Sequence, residues 1–326
     1  MTDRYQVLRL LADGGVHSGT AIGEVLGVSR AAVWKHLQQL SELGIEVQAV
    51  AGKGYQLTTP LDLLDEEALQ DPPLQTDALL EWSVFSEMDS TNAYLMRQPP
   101  VAANTLQICV AEYQTAGRGR RGRQWQSPFA SNIYLSIKRQ FRCGLEGLGG
   151  LSLAVGVACA EALQPFSQRQ IGLKWPNDLR VGEQKLGGIL IELSGEAGGP
   201  CQVVIGVGVN VQMRAAPTID QPWISLHQCS ARLPGRNTLA RTLVEHISRM
   251  ADRFDREGFA PFRQRYLQRD VYLDQGIALS SFQQTISGVH QGVDDTGSLL
   301  LRTASGVERI QVGDVSLRGG NGNAMA

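Results

Sequence analysis

Cysteine and histidine are scarce in this sequence, and their spacing gives no support to a disulfide framework or a metal site. The five cysteines are odd in number and widely spaced, and none forms a Cys-x-x-Cys pair. The five histidines also lack the spacing of metal ligands. We therefore predict no protein-held metal site and expect most of the cysteines to be small buried hydrophobes.

A strong net charge and a long apolar run are also missing. The 30 basic and 32 acidic residues give a net charge of -2, so any DNA binding must come from a local surface. The most apolar stretch, Leu151–Leu163, contains Glu161 and is too short to span a bilayer. It predicts a buried helix and no membrane partner. The first residues lack the apolar stretch of a signal peptide, so we expect a cytoplasmic protein.

The hydrophobic pattern predicts an α+β protein of three domains, which its 326 residues are enough to build. Three helices, the second and third capped by Ser18 and Ser29, and a hairpin with its tip at residues 51–54 indicate a winged helix-turn-helix. An acidic linker follows, and mixed strands and helices then predict a central domain with antiparallel hairpins. Short strands separated by glycines predict a small β-barrel at the end. The expected domains are residues 1–60, 61–270 and 271–326.

The most informative segment is residues 114–125, which read Gln-Thr-Ala-Gly-Arg-Gly-Arg-Arg-Gly-Arg-Gln-Trp. Residues 117–123 comprise four arginines and three glycines with no acidic residue, so this Gly/Arg loop cannot pack as a core element. Glycine lets the backbone approach a ligand, and guanidiniums offer forked donors to phosphate or carboxylate. The run predicts a loop that an anionic, phosphorylated ligand orders. A solvated basic loop and a nucleic-acid patch are the alternatives.

Further segments narrow this choice. They are Asp89-Ser-Thr-Asn92, Ser127-Pro-Phe-Ala-Ser-Asn132, Lys174-Trp-Pro-Asn-Asp178, Lys185-Leu-Gly-Gly188 and Val204-Ile-Gly-Val-Gly-Val-Asn210. Together with the Gly/Arg loop they resemble the biotin–protein ligases. The winged helix extends this resemblance over nearly the whole chain, to the bifunctional bacterial form that also represses the biotin operon. It implies a class II synthetase-like central domain and an SH3-like C-terminal β-barrel.

The resemblance implies an ATP-dependent ligase with biotin and ATP as substrates and Mg²⁺ as cofactor. Such an enzyme forms biotinyl-5'-AMP and transfers biotin to a lysine of the biotin carboxyl carrier protein of acetyl-CoA carboxylase. Adenylation is needed because a carboxylate is a poor electrophile. Both steps gather negative charge on oxygen, so the site needs fixed cations and little water. The intermediate would also act as corepressor of a ligand-linked homodimer on operator DNA.

The resemblance also assigns roles to individual residues. The catalytic candidates are Lys185, Arg120 and Asp178. The biotin-binding candidates are Ser90, Thr91, Asn92, Gln114, Arg118, Gly119, Arg120, Lys185 and Gly188. The nucleotide-binding candidates are Arg121, Trp125, Lys174, Asn177 and Asn210. Three aromatic residues, Trp125, Tyr134 and Trp223, are candidates to contact adenine.

Each of these residues has a simpler interpretation when taken alone. Residues 89–92 could only cap a helix, and Lys185 could be a solubilising lysine on an edge strand. Residues 174–178 could only connect a hairpin. The aromatic side chains could belong to the core. Asn210 lies in an apolar strand, so its amide needs a partner, and triphosphate or Mg²⁺ is one candidate.

The winged helix carries the predicted DNA contacts. Ser29, Arg30 and Ala31 lie in the first turn of the recognition helix, Lys35 lies on its polar side, and Lys53 lies at the wing tip. A purely structural helix-turn-helix is the alternative. Two other hypotheses for the whole chain are a regulator that only senses biotin and a ligase for lipoate. The retained Gly/Arg loop and Lys185 argue against a mere sensor, and the pairing of that loop with Asp-Ser-Thr-Asn argues against a lipoate ligase.

Overall fold

The structure is a computed structural model that describes residues 4–194, 200–216, 218–280, 285–311 and 316–319. Within these ranges all five cysteines are free, and four of them are buried. Three regions follow one another along the chain: a helical unit with a hairpin, a large mixed sheet with helices, and a small antiparallel sheet. The predicted α+β class is confirmed.

The first region is the predicted winged helix. Its elements are α1 (Arg4–Leu11), α2 (Gly19–Leu26), α3 (Arg30–Leu40), β1 (Val47–Val50) and β2 (Gly54–Leu57). The hydroxyls of Ser18 and Ser29 accept hydrogen bonds from the backbone N–H groups of Ala21 and Ala32, so both predicted N-caps are present. β1 and β2 pair antiparallel as the wing. Helix α3 ends at Leu40, and a 3-10 turn leads to Gly44 in the left-handed region.

The linker is more ordered than its acidic composition suggested. It contains α4 (Glu66–Gln70), whose N-cap is Asp65. Leu64 is fully buried, and its N–H donates to the buried carboxylate of Glu112. The same carboxylate pairs with Arg236, whose side chain is completely buried. The linker is therefore fixed to the central region by a buried ion pair that sequence patterning could not reveal.

The central region contains a seven-stranded sheet. Its strands are β3 (Leu79–Phe85), β4 (Thr105–Ala111), β5 (Asn132–Phe141), β6 (Gly172–Lys174), β7 (Asp178–Val181), β8 (Gln184–Ser194) and β9 (Cys201–Asn210). They lie in the order β3-β4-β5-β9-β8-β7-β6. Only β3 and β4 pair parallel, and every other pair is antiparallel, as the predicted hairpins require.

Helices cover both faces of this sheet. They are α5 (Thr91–Arg97), α6 (Leu151–Leu163), α7 (Arg236–Glu257) and α8 (Ala260–Leu267). Alternate strand residues face opposite sides: Ile108 and Val203 join the large core with α6 and α7, while Cys109 and Val204 pack with Leu95 of α5. The segment Leu145–Phe166 is long and apolar enough to cross a membrane, but 67% of its apolar window is buried inside the fold. This burial is the one predicted for α6.

The last region is a five-stranded antiparallel sheet. Its strands are β10 (Gly276–Ser280), β11 (Thr285–Val293), β12 (Leu299–Thr303), β13 (Gly306–Ile310) and β14 (Ser316–Gly319). The order β13-β12-β11-β10-β14 leaves β13 and β14 at opposite edges, so the described residues do not close the predicted barrel. Trp175 fixes this sheet to the central region because its indole N–H donates to the carbonyl of Gly297 at 3.2 Å.

Candidate functional site

A cavity of about 1040 Å³ lies on the face of the central sheet that α5 covers. The structure brings every ligase-site residue predicted from the sequence to this one cavity. Its lining includes Ser90, Thr91, Asn92, Gln114, Arg118, Gly119, Arg120, Arg121, Trp125, Tyr134, Lys174, Asn177, Asp178, Lys185, Gly188, Asn210 and Trp223. These residues come from seven separate sequence segments, so their convergence is a property of the fold. Their individual roles remain predictions.

Three glycines form the floor of the cavity. Gly188 pairs with Gly208 across β8 and β9, and Gly206 lies on the same face two residues earlier. A Cβ on Gly206 would lie 2.2 Å from the amide oxygen of Asn92, and one on Gly208 would lie 2.6 Å from the Trp125 ring. Side chains at these positions would push out Asn92 and Trp125. The absence of side chains at these glycines therefore lets Asn92 and Trp125 pack directly on the sheet.

A buried hydrogen-bonded chain holds one end of the cavity. The backbone N–H and hydroxyl of Thr91 donate to Oε1 of Gln114 at 2.9 and 3.2 Å, and the Gln114 amide donates to Ser127 at 3.1 Å. Ser136 of β5 donates to Thr91 at 2.7 Å. Ser90 is also the N-cap of α5, so the simple capping interpretation is correct and coexists with its place in the cavity. This chain provides neutral donors and acceptors of the kind that recognise a ureido ring.

The Gly/Arg loop forms a short turn over the cavity. The N–H of Gly119 donates to the carbonyl of Arg123 at 2.7 Å, and Arg121 between them adopts the left-handed region at φ 58°. The Trp125 N–H donates to the Gly117 carbonyl at 2.9 Å. Arg118 forms an ion pair with Glu192 of β8 at 3.2 Å. Arg118 thus ties the loop to the sheet.

Glu192 is a site residue that the sequence interpretation missed. Besides Arg118, its carboxylate accepts a hydrogen bond at 2.8 Å from the amide of Asn92, which is buried. Glu192 therefore joins the Asp-Ser-Thr-Asn segment to the Gly/Arg loop. No spacing rule could have found it, because its partners lie 100 and 74 residues away in the sequence.

Lys185 and Asp178 lie side by side at the opposite end of the cavity. The ammonium nitrogen of Lys185 lies 2.7 Å from Oδ1 of Asp178 and 5.5 Å from the centroid of the Trp125 ring. Lys185 does open a strand, as predicted, but its side chain points to the cavity and is 17% exposed, so it is not a solubilising edge lysine. The pair places a cation and a carboxylate beside the same aromatic surface.

Lys174 is the second cation of this end. Burial lowers the pKa of Lys174 to about 8, and the nearby Asp178 offsets that effect only in part. Three neighbouring cations, Arg180, Lys185 and Arg123, lower the pKa of Lys174 further. The site thus holds more positive charge than its acidic groups balance, as an anionic ligand requires.

Two predicted nucleotide contacts already have protein partners. The Asn210 amide donates to the carbonyls of Ile224 and Lys185 at 3.1 and 3.4 Å, so a ligand is not required to satisfy its N–H groups. The Asn177 amide donates to the Ile189 carbonyl at 2.8 Å. Both side chains fix the segments that carry Lys185 and Lys174. The buried Asn210 amide therefore does not need a phosphate partner, although Asn210 does line the cavity.

The three aromatic candidates differ in their surroundings. Tyr134 is 1% exposed and its hydroxyl donates to the Pro128 carbonyl at 2.8 Å, which favours the core interpretation. Trp223 lies in a segment that pairs with Lys185. Trp125 lies between Lys185 and the glycine floor. Of the three, Trp125 is the one placed to present a flat face within the cavity.

The winged helix exposes every residue predicted to contact DNA. Arg30, Ala31 and Lys35 are exposed on α3, Ser29 is exposed as its N-cap, and Lys53 is exposed at the wing tip. The Ser29 hydroxyl accepts the capping bond from Ala32 at 3.2 Å, so its oxygen is partly occupied. Val33, Leu37 and Leu40 are buried on the opposite side of α3 and face the core. The surface also contains Trp34, which is 55% exposed and was not predicted.

Comparison with known families divides the chain into three matched segments. Residues 84–210 match the Biotin/lipoate A/B protein ligase family. Residues 3–56 match an HTH domain, and residues 272–318 match the Biotin protein ligase C terminal domain. These matches lie on the central sheet, the winged helix and the last sheet respectively.

Whole-chain relatives extend the match. The chain is 40% identical over 314 residues to the bifunctional ligase/repressor BirA of Salmonella typhimurium and 39% identical over 315 residues to that of Escherichia coli, covering 96% of this chain and 96% of each relative. Among solved structures, the biotin protein ligase of Aquifex aeolicus in complex with biotin and ATP aligns with a TM-score of 0.64 at 29% identity, over 74% of this chain and 99% of that one. The chain belongs to the family of the bifunctional ligase/repressor BirA.

Proposed function

We propose that this protein forms biotinyl-5'-AMP from biotin and ATP, and transfers the biotin to a lysine of the biotin carboxyl carrier protein. The same intermediate acts as corepressor when the protein binds the operator of the biotin operon. One observation carries the ligase proposal: the Gly/Arg loop, the Lys185–Asp178 pair and the Thr91–Gln114 chain line one cavity. The solved complex of the Aquifex aeolicus relative with biotin and ATP supports the choice of substrates.

In the first step a carboxylate oxygen of biotin forms a bond to the α-phosphorus of ATP, and pyrophosphate leaves. Lys185 binds the carboxylate and the phosphate as negative charge develops, with Arg118, Arg120 and Arg121 above it. The Thr91–Gln114 chain, with Ser90, Asn92, Gly119 and Gly188, holds the opposite end of biotin. Trp125, Lys174, Asn177 and Asn210 contact the nucleotide. When the ligand binds, Arg118 breaks its ion pair with Glu192 and contacts the ligand instead. Breaking this pair costs little free energy because the pair is partly exposed to solvent.

In the second step the amine of the acceptor lysine attacks the acyl carbon, AMP leaves, and the amine loses one proton. Asp178 begins β7, and its carboxylate can orient the incoming amine and receive that proton. Lys185 remains beside the departing phosphate and offsets its charge. The closed Gly/Arg loop excludes water, which would otherwise hydrolyse the adenylate.

Magnesium is proposed only as the counter-ion that ATP brings. Among the described residues no group of three or more His, Cys, Asp or Glu side chains could hold a metal ion. The acidic residues that line the cavity are Asp178 and Asp220, and Asp178 is already paired with Lys185. Mg²⁺ commonly takes most of its ligands from phosphate and water with one or two carboxylates, and this donor set fits that pattern.

Repression requires a dimer in this proposal. Each winged helix offers only a few cations to phosphate, including Arg30, Lys35 and Lys53, so two copies must bind together to reach useful affinity. We propose that closure of the Gly/Arg loop over the adenylate favours a homodimer and hence DNA binding. We also propose domain limits near residues 60 and 270 and a cytoplasmic location, where acceptor protein and DNA are both present.

The ligase proposal is tested by incubating the protein with biotin, ATP, Mg²⁺ and a carboxyl-carrier domain. Mass spectrometry should find one biotin on the acceptor lysine, and pyrophosphate should form before the transfer. Lipoate in place of biotin is the matched control. Transfer of lipoate but not biotin, or biotin binding with no pyrophosphate, would replace this proposal by a lipoate ligase or a sensor.

The repressor proposal is tested by sedimentation and gel shift with and without biotin plus ATP. Both dimer formation and affinity for biotin-operon DNA should rise with the ligands. Adding acceptor protein should reverse the effect, because it discharges the intermediate. If biotin and ATP changed neither dimerisation nor DNA affinity, the protein would be a ligase without ligand-controlled repression.

A further inference from the structure

The recognition helix exposes a large aromatic side chain. Trp34 is 55% exposed, whereas its neighbour Val33 is completely buried and belongs to the winged-helix core. Trp34 lies one turn after Arg30 and Ala31 and next to Lys35, all three of which are exposed. The indole thus lies on the same face of α3 as the basic residues. The described core of the winged helix does not include it.

The charge of this face of α3 indicates what kind of molecule binds there. Helix α3 reads Arg-Ala-Ala-Val-Trp-Lys-His-Leu-Gln-Gln-Leu and contains no acidic residue. Arg30 and Lys35 flank Trp34, so the face is complementary to a polyanion. An α-helix fits the major groove of DNA, where its first turns reach the base edges. The indole of Trp34, between these two cations, therefore faces the bases when Arg30 and Lys35 reach the strands.

Only one base presents an apolar group in the major groove. Thymine carries a 5-methyl group there, while the other three bases present hydrogen-bond donors and acceptors. An indole ring offers a flat apolar surface, and it gains most where it displaces water from such a methyl. We propose that Trp34 packs against the methyl group of one thymine in each half-site and so determines the sequence preference of the protein. This inference rests on the proposed repressor function.

The test begins without an assumed operator. The full-length protein with biotin, ATP and Mg²⁺ selects its site from a random double-stranded DNA pool. Each thymine of the selected site is then replaced in turn by deoxyuridine, which removes only the methyl group. Equilibrium binding is measured for the wild type and Trp34→Ala, so that protein and DNA changes form a double-mutant cycle.

The wild type should lose about fourfold in affinity per half-site at one thymine position, the effect of uncovering one methyl group. Trp34→Ala should bind the thymine and deoxyuridine versions of that position equally. Lys35→Ala, as a control, should weaken both versions by the same factor. The inference is overturned if deoxyuridine lowers the affinity of the wild type and of Trp34→Ala by the same factor. It is also overturned if replacing each thymine of the selected site leaves the affinity of the wild type unchanged.

Two further controls separate DNA recognition from other roles of Trp34. Val25→Ala alters another exposed apolar residue, 69% exposed on α2, and should leave the cycle unchanged. Sedimentation of Trp34→Ala with ligands should match the wild type, and loss of its dimer would mean that a second copy covers Trp34. If the pool yields no enriched sequence for the wild type, the repressor proposal fails together with this inference. An enriched sequence without coupling to Trp34 removes the inference alone.

Discussion

The ammonium group of Lys185 lies 2.7 Å from a carboxylate oxygen of Asp178, and neither side chain is more than 17% exposed. The two residues belong to neighbouring strands, with Asp178 opposite Gly188 in the register of β7 and β8. Gly188 borders this pair, because a Cβ there would lie 3.4 Å from the Lys185 side chain, at van der Waals contact. Removing either residue alone leaves the other without its nearest opposite charge.

Replacing Lys185 by Ala should slow biotinyl-adenylate formation about 10²-fold or more. The reason is that Lys185 is a fixed charge at the position where the phosphate charge develops. Single-turnover measurement of pyrophosphate release at saturating ATP and biotin gives this rate directly. Lys185→Arg is the matched control, because it keeps the charge and should recover part of the rate.

Folding must be separated from catalysis in this variant. Asp178→Asn together with Lys185→Ala removes both charges and should restore the melting temperature without restoring the rate. A pyrophosphate rate of Lys185→Ala within a few-fold of the parent would contradict the catalytic assignment.

The sequence predicted those features that neighbouring residues determine. Ser18, Ser29 and Ser90 were each expected to cap a helix, and each does, because a cap depends on residues three positions away. The apolar burial of α6 follows from composition in the same way. The gathering of the site motifs in one cavity was expected only from the family resemblance.

Features that depend on distant partners were missed. Strand β3 is an edge strand whose residues are mostly half-exposed, so its pattern is weak, and its parallel pairing with β4 requires a crossover. Neither helix α4 nor the buried Arg236–Glu112 pair was predicted. Hydrophobic periodicity cannot show that a residue near position 236 contacts one near position 112. Glu192 was missed for the same reason.

Lys174 should give ATP binding a pH dependence. Burial lowers the pKa of Lys174 to about 8 in the free protein, and a bound triphosphate favours its charged form, so binding raises that pKa. Below pH 8 the side chain is already charged and the affinity should be level. Above pH 8 a proton must be taken up, so the affinity should fall by up to about tenfold per pH unit.

Calorimetry at pH 8.5 in two buffers of different ionisation enthalpy measures this proton uptake. Lys174→Met should abolish the uptake and flatten the profile. Lys53→Met removes a lysine from the exposed wing tip and should leave both the proton uptake and the pH profile of ATP affinity unchanged. The assignment of Lys174 to the nucleotide is wrong if the variant Lys174→Met takes up protons as the parent does.

The Gly/Arg loop should be cleaved by trypsin in the free protein and protected by biotin with ATP. Its arginines lie in a short turn, and Arg118 is tied to the sheet by the half-exposed ion pair with Glu192. Glu192→Gln weakens that pair, so cleavage of the free loop should be up to about fivefold faster. Glu245→Gln breaks a similar surface pair with Arg249 on α7 and serves as control. Equal cleavage with and without ligands would show that the loop does not cover the intermediate.

Removing the Phe129 ring should loosen the winged helix from the central region. Phe129 stacks on Tyr5 of α1 with ring centroids 5.8 Å apart and packs into the winged-helix core. Glu87 adds a second link, because it accepts a hydrogen bond from Arg4 at 2.7 Å and another from the Tyr5 hydroxyl. Loss of a buried ring costs about 3 kcal/mol, so Phe129→Ala should show a separate, earlier melting transition by calorimetry.

We expect this loosening to affect ligand-controlled DNA binding as well, because Ser127 connects the Phe129 segment to Gln114. Ser127 lies two positions before Phe129 and accepts a hydrogen bond at 3.1 Å from Gln114, so the segment that anchors the winged helix also contacts a residue that lines the ligand cavity. Adenylate formation by Phe129→Ala should stay within a few-fold of the parent, while the gain in DNA affinity on adding biotin and ATP should shrink. Tyr5→Phe keeps the stacked ring and loses only its hydroxyl, so it should behave nearly as the parent. A variant Phe129→Ala that melts in one unchanged transition and keeps the full ligand effect on DNA would show that this segment does not connect the two sites.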